Sequence, residues 1–332
     1  MEELQSWFTQ YRRHFPWRDE RTPYKVWISE VMLQQTRASV VVPYFLDWMK
    51  RFPDVARLAA AAPEEVIKAW EGLGYYSRAR NLHKGAKEIV GRFNGEIPGI
   101  REELETISGL GPYTIGAILS FGFRQKAPAV DGNVARVVSR YFAVEENICA
   151  AKAKKSIWEK TESLLGDDEP WVTAEALIEL GATICLPKPK CGACPIRESC
   201  LGLKKGIAES LPVKNGEKSI IPIDRVVAVV EAQGKVLVRK GEPGKVMADL
   251  YEFPFFEGRM PGRWKARLGG DAKYVKPLKE TAHSFTRYKA RLFPHLLRTD
   301  APFSVVGGTW IAREKLKELP FSSGHKKIME QL

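Results

Sequence analysis

Long apolar runs are missing from this chain. None of its 332 residues falls in a stretch apolar enough to span a bilayer, so no membrane partner is expected. The opening MEELQSWFTQYRRHF lacks the apolar core of a secretory signal, so a cytoplasmic location is expected, beside the nucleoid in a bacterium. Cysteine is scarce: there are five, four of them between Cys185 and Cys200. That clustering excludes the spread, even-numbered pattern of a secreted disulfide framework and suits a metal or iron–sulfur site in a reducing compartment. Repeats of solenoid length are also missing.

Positive charge is in excess, at a formal +12. Such an excess suits a polyanion, because each Lys or Arg placed on a phosphate releases a counterion. It is unevenly spread: residues 225–332 carry 21 Lys and Arg against 11 Asp and Glu, whereas residues 1–224 carry 31 against 29. Two differently composed halves follow, and the length suits two domains.

Residues 1–202 read as helical. Apolar residues recur at helical spacing in Val40–Phe52, Pro63–Leu73, Arg80–Phe93, Pro112–Phe121, Val134–Phe142 and Trp171–Ile184, with Gly and Pro at the joins. Residues 203–224, rich in Lys, Gly, Ser and Pro, read as a linker. From Arg225 to Leu332 the pattern changes to short β-rich runs: RVVAVVEAQGKVLVRK around a Gln233-Gly234 turn, then ARLFPHLLR and SVVGGTWIA, then a short helix Glu314–Leu319. The expected fold is multidomain, an all-α domain followed by a smaller α+β domain.

Four features carry chemistry. Thr22-Pro23 predicts a helix start, and the helix YKVWISEVMLQQ sets Glu30 on one side with Val26, Trp27, Leu33 and Gln34. Burial there would raise its pKa and suit a general acid; a Glu turned to solvent or paired with a distant Arg is the alternative. Asp131, in PAVDGNVARV, stands where a helix N-cap belongs, and the same carboxylate, held at low pKa by the helix start, could stabilise a developing sugar cation. In LETISGLGPYTIGAIL, Gly109 and Gly111 sit between two helices, either to let a DNA phosphate approach or to make a packing corner. Cys185, Cys191, Cys194 and Cys200 can enclose a tetrahedral zinc or a cubane iron–sulfur cluster, while Cys149 reads as a small core residue. Lys188, Lys190, Arg197, Lys204 and Lys205 rim that loop, for phosphate contact or solvation.

PWRDERTPYKVWISEVMLQQT, WEGLGYYSRARNLH, ISGLGPYTIGA, PAVDGNVARV, ALIELGATIC and the four cysteines follow in this order. Together they resemble the MutY adenine DNA glycosylases of the helix-hairpin-helix superfamily. The second half resembles that family's Nudix-like domain, KVLVRKGEPGKVMADLYEFP matching its glycine-and-EFP region loosely and no Nudix hydrolase box being visible. The resemblance implies a helix-hairpin-helix glycosylase domain with an iron–sulfur loop plus a Nudix-like lesion-recognition domain. It implies excision of adenine opposite 8-oxoguanine or guanine in double-stranded DNA by a monomeric enzyme.

The resemblance also implies roles. Glu30 would protonate adenine and activate water, Asp131 would stabilise the oxocarbenium-like sugar, and Asn133 would support the site. Tyr113 stands where bifunctional relatives carry a lysine nucleophile, which implies a monofunctional glycosylase. Trp17, Arg18, Leu33 and Glu175 would line the adenine pocket, and Gln35 and Tyr75 would wedge into the stack. The four cysteines would hold a [4Fe-4S] cluster. Phe285, Thr286 and Arg287 stand where the family reads the lesion. Two positions depart from the pattern: the first cysteine gap is five residues rather than the common six, and Arg287, a permanent cation and donor only, replaces a histidine. A pyrimidine glycosylase of the superfamily and a non-catalytic iron–sulfur DNA-binding protein are the competing readings; retention of both Glu30 and Asp131 argues against the latter.

Overall fold

A computed structural model describes residues 1–214, 219–242, 244–259, 267–285 and 287–332; Thr286 and part of the expected linker lie outside the described residues. The chain divides into two compact units, Met1–Ala60 with Asn81–Gly216, and Ala61–Arg80 with Glu217–Leu332.

The first unit is helical: α1 (Glu2–Tyr11), α2 (Pro16–Asp19), α3 (Pro23–Leu33), α4 (Ala38–Arg51) and α5 (Val55–Ala60) lead it. After α6 (Pro63–Ala69) of the other unit, α7 (Ser77–Phe93), α8 (Arg101–Leu104) and α9 (Pro112–Ala117) follow, α9 running on as a π turn over Ile118–Gly122. Then come α10 (Gly132–Tyr141), α11 (Ala151–Leu164), α12 (Pro170–Thr183) and α13 (Leu201–Lys204). As the Thr-Pro signal predicts, Thr22 accepts from Lys25 N at 3.2 Å and Pro23 opens α3. That helix is buried almost all round, from Tyr24 to Met32, so its one carboxylate is buried with it.

Helix α10 places Val134, Val137 and Val138 against Leu4 and Phe8 of α1 and Leu177 and Leu180 of α12. Each such aliphatic side chain, fully buried, stabilises by about 1.5–3 kcal/mol. Helices α10 and α12 approach closely because of Gly181, where a Cβ would stand 2.6 Å from Asn133 Cβ. This contact fixes the start of α10, and with it Asp131, against the helix that carries Glu175.

The second unit is built on an eight-stranded mixed sheet of order β3-β2-β1-β7-β5, with β4 also on β1, β6 on β7 and β8 on β2. Its strands are β1 (Ile221–Ala232), β2 (Lys235–Lys240), β3 (Tyr251–Glu252), β4 (Phe255–Glu257), β5 (Lys273–Pro277), β6 (Thr281–Phe285), β7 (Tyr288–Arg298) and β8 (Gly308–Ala312). The Gln233-Gly234 turn joins β1 to β2 with both residues at positive φ, as a tight hairpin requires. Strands β1 and β7 run parallel. Val226–Val230 are buried without alternation, because the sheet has a core on each face: Val227 and Val229 with Phe253 and Phe321, Ala228 and Val230 with Leu237 and Leu297.

Four expectations need correction. Residues 61–80, read as part of the helical domain, pack with the sheet: Glu71 accepts from Phe321 N at 2.9 Å and Lys326 Nζ at 2.8 Å, and Lys240 bonds Glu64 at 3.0 Å. The linker 203–224 is not a free tether at its start. Ala208 and Leu211 are buried, Ile148 N donates to Val213 O at 3.0 Å, and β1 begins at Ile221. Cys149 is exposed, not a core residue. The expected helix Glu314–Leu319 is a 3₁₀ segment, Arg313–Glu318.

Candidate active site

A cavity of about 970 Å³ opens among α2, α3, α9, α10 and α12. Trp17, Arg18, Glu30, Leu33, Tyr113 and Asp131 line it, together with Asn133, Glu175 and Gln35. All nine of these expected positions therefore face one space. Trp17 lies against Phe15 with ring centroids 4.7 Å apart and planes 11° apart, a flat aromatic wall.

Glu30 is only 7% exposed. Burial lifts its carboxyl to about 7; a hydrogen bond donated by Tyr113 pulls it back, the charges of Glu175 and Asp131 push it up, and Arg18 pulls it down. The Tyr113 hydroxyl is itself held well above its usual range by burial and by Glu30, so it remains a donor. A carboxyl poised near neutrality inside a cavity is the condition for general acid work.

Asp131 is both a cap and a cavity residue. Its Oδ1 accepts from Asn133 N at 2.8 Å and Val134 N at 2.7 Å, and Oδ2 accepts from Asn133 Nδ2 at 2.8 Å. The expectation of a low pKa is not met: burial raises the carboxyl above its ordinary value, although Val134, Asn133 and Arg136 pull it down. Three donors still hold Asp131 where Glu30 has one.

Along the cavity wall runs a chain of ion pairs that includes three groups not expected from sequence, Arg13, Arg21 and Glu179. Arg13 Nε bonds Glu179 Oε1 at 2.6 Å, Arg18 Nη2 bonds Glu179 Oε2 at 2.8 Å, and Arg18 Nε bonds Glu175 Oε1 at 2.7 Å. Arg21 Nη1 lies 2.7 Å from Glu175 Oε2. Burial works against the Arg18 charge, but Glu175 and Glu179 outweigh it and hold the guanidinium above its ordinary value. Four positions separate Glu175 from Glu179, so two acids share a face of the otherwise apolar α12. That spacing was the available signal.

At the hairpin, Gly109 has φ +85°, and a Cβ there would stand 2.5 Å from Asn81 Cβ. Glu88 clamps the turn by accepting from Ser108 N and Ser108 Oγ, each at 2.7 Å. Gly111 has an ordinary extended backbone, with open space where a Cβ would be.

Cys185, Cys191, Cys194 and Cys200 are free thiols lining one cavity of about 30 Å³. Among the described residues no three His, Cys, Asp or Glu close on a single metal ion. Four cysteine thiolates are the donor set of an iron–sulfur cluster as well as of a tetrahedral zinc. Arg140 fixes the loop by donating to Leu186 O at 2.5 Å and Pro187 O at 2.8 Å, with Nη1 3.4 Å from Cys185 Sγ.

In the sheet unit, Tyr75 and Phe285 line one cavity of about 350 Å³ with Leu73, Val246 and Ser284. Tyr75 is exposed at φ 48°, and Gln35 of the helical unit is likewise exposed at φ 57°. Arg287 is exposed; its guanidinium lies 5.5 Å from the Tyr288 ring centre and its carbonyl accepts from Ile221 N at 2.8 Å.

Residues 28–163 match the HhH-GPD superfamily of base excision DNA repair proteins, and residues 225–331 match the NUDIX domain. The chain is 31% identical to the adenine DNA glycosylase of Buchnera aphidicola subsp. Schizaphis graminum, over 96% of this chain and 94% of that one. It is 35% identical to the adenine DNA glycosylase of Buchnera aphidicola subsp. Baizongia pistaciae, over 76% of this chain and 72% of that one. A solved thermostable thymine-DNA glycosylase superposes with a TM-score of 0.57 at 28% identity, covering 61% of this chain and 94% of that one.

Proposed function

The chain belongs to the adenine DNA glycosylase family of base excision repair, and from that premise we propose that it removes adenine paired with 8-oxoguanine or guanine, as a monofunctional hydrolase acting on a flipped-out base. The observation that carries the reading is Glu30, a buried carboxyl at about 7 facing the same cavity as Asp131. The adenine relatives support the choice of base, since one of them aligns over 96% of the chain against 61% for the thymine glycosylase.

Neutral Glu30 gives its proton to a ring nitrogen of adenine. The bond from the sugar C1′ to the base then breaks, and its electron pair leaves with the base. Positive charge develops on the sugar, and ionised Asp131, held by Asn133 and the start of α10, stabilises it. Glu30, now a carboxylate, takes a proton from water as the water oxygen bonds to C1′. Trp17 and Leu33 exclude solvent, and Arg18 with Glu175 supplies the polar wall. Tyr113 cannot form the imine that a lysine would, which supports cleavage of the base without the strand.

Cys185, Cys191, Cys194 and Cys200 would hold a [4Fe-4S] cluster, which supplies a rigid knot to the basic loop they share with Lys190 and Arg197. Gly109 and Gly111 would let a phosphate approach the start of α9. Gln35 and Tyr75 would enter the stack, and Phe285, Thr286 and Arg287 would read the opposite base. We expect a monomer acting in the cytoplasm. The test is an excision panel of A, T or C opposite G or 8-oxoguanine, with the protein's visible absorption recorded first. Release of thymine but not adenine would overturn the reading, and a colourless active protein would remove the cluster from it.

A further inference from the structure

The ion-pair chain ends on a residue with no role in the mechanism above. Arg21 precedes the Thr22 cap of α3, and its side chain is only 11% exposed. Its guanidinium centre lies 4.9 Å from the Trp171 ring centre, and Arg124 stacks on the same ring at 5.7 Å. Its Nη1 is 2.7 Å from Glu175 Oε2, while the other oxygen of Glu175 belongs to Arg18. The two oxygens of Glu175 thus have separate owners, and only Arg18 also faces the base cavity.

Glu175 acts on Glu30 more strongly than Asp131 does, and its negative charge favours the protonated donor. The other groups that act on Glu30 are Tyr113 from α9, Asp131 from the α10 cap and Arg18 from α2. Arg13, Arg18 and Arg21 face Glu175 and Glu179 across the chain, three cations against two anions. Removing Arg21 leaves two against two. The negative field of Glu175 at Glu30 is then balanced by Arg18 alone, and a buried pair is poorly screened by solvent.

Resting on the reading of Glu30 as proton donor, we propose that Arg21 is a positioning residue: clamped by Trp171 and Glu175, it moderates the negative charge that Glu175 presents to Glu30. It touches no base and takes no proton. Its task is to keep the donor ready to lose its proton to adenine at neutral pH, by limiting the charge that would hold the proton back.

The experiment is the pH dependence of single-turnover adenine excision, at saturating protein, for wild type, Arg21→Met, Arg21→Lys and Glu30→Gln. Arg21→Met moves the alkaline limb of the profile to higher pH, by less than the roughly one unit that a directly adjacent charge gives. Arg21→Lys, which keeps the cation, leaves the limb at the wild-type position. A merely structural role would lower the rate at every pH and leave the limb in place; that result, or a limb moved to lower pH, overturns the proposal. Thermal melts of both variants identify any that fails to fold, and Arg21→Lys with a limb displaced as far as in Arg21→Met also overturns it. Glu30→Gln separates the two claims: if it excises at the wild-type rate, the donor assignment fails whatever Arg21 does.

Discussion

Tyr113 donates its hydroxyl hydrogen to Oε2 of Glu30, joining the start of α9 to the middle of α3. One oxygen of the Glu30 carboxyl is thereby engaged by Tyr113, which leaves the other to carry the acidic proton. The bond also opposes burial, because it favours the ionised carboxylate.

Tyr113→Phe removes that bond and leaves Arg18 to oppose burial. Glu30 then holds its proton to higher pH, so the alkaline limb of the excision profile moves up. A hydrogen bond to a charged group is worth about 1.5–3 kcal/mol, so the movement is about one pH unit or more. Single-turnover rates across pH check it; a limb that stays in place contradicts the bond's role.

Asp131 has two duties that substitution can separate. Asn caps a helix as well as Asp does, so Asp131→Asn keeps the fold but lowers excision by about 10²–10³-fold through loss of charge. Asp131→Ala loses the cap as well, at a further cost of about 1 kcal/mol in stability. Excision rates and urea unfolding on the two variants distinguish the duties. Equal stability of both would show that the cap bonds contribute nothing.

Gly181→Ala would place a methyl 2.6 Å from Asn133 Cβ and 3.0 Å from Asn133 O. Overpacking of this kind costs about 1–3 kcal/mol and displaces the start of α10. Excision should fall more than DNA binding does, because Asp131 moves while the binding surface does not. Equal losses in the two assays would count against this.

Glu30 should make the protein less stable above the pH at which an exposed Glu ionises. Its folded value of about 7 stands above the ordinary value of 4.5. Below 4.5 both states are protonated and no cost exists; the cost grows as the unfolded chain ionises and is complete above 7. Glu30→Gln should therefore be the more stable protein at pH 8, by about 3 kcal/mol at most, with the difference gone at pH 4. Denaturant unfolding at both values measures this, and a wild type equally stable or more stable at pH 8 contradicts it.

Much of this site is written in local sequence. The Thr22-Pro23 start of α3 fixes which face Glu30 occupies, and the Asp-Gly-Asn run fixes the cap that holds Asp131. The ion-pair chain was not legible, because Arg13 and Arg21 meet Glu179 and Glu175 across more than 150 residues of sequence. The unit to which residues 61–80 belong was hidden for the same reason: Glu71 reads as an ordinary helix-end acid until Phe321 and Lys326 are seen beside it. The raised Asp131 carboxyl is not legible locally, because the cap donors are near in sequence while the burial that outweighs them is tertiary.

The central claim is that a neutral Glu30 gives its proton to a flipped adenine. Single-turnover excision by Glu30→Gln, on duplexes with adenine opposite 8-oxoguanine, tests it most directly when DNA binding is measured on the same preparation. The account predicts that excision is lost while binding persists, since only the donated proton is removed. Wild-type excision by that variant would contradict it.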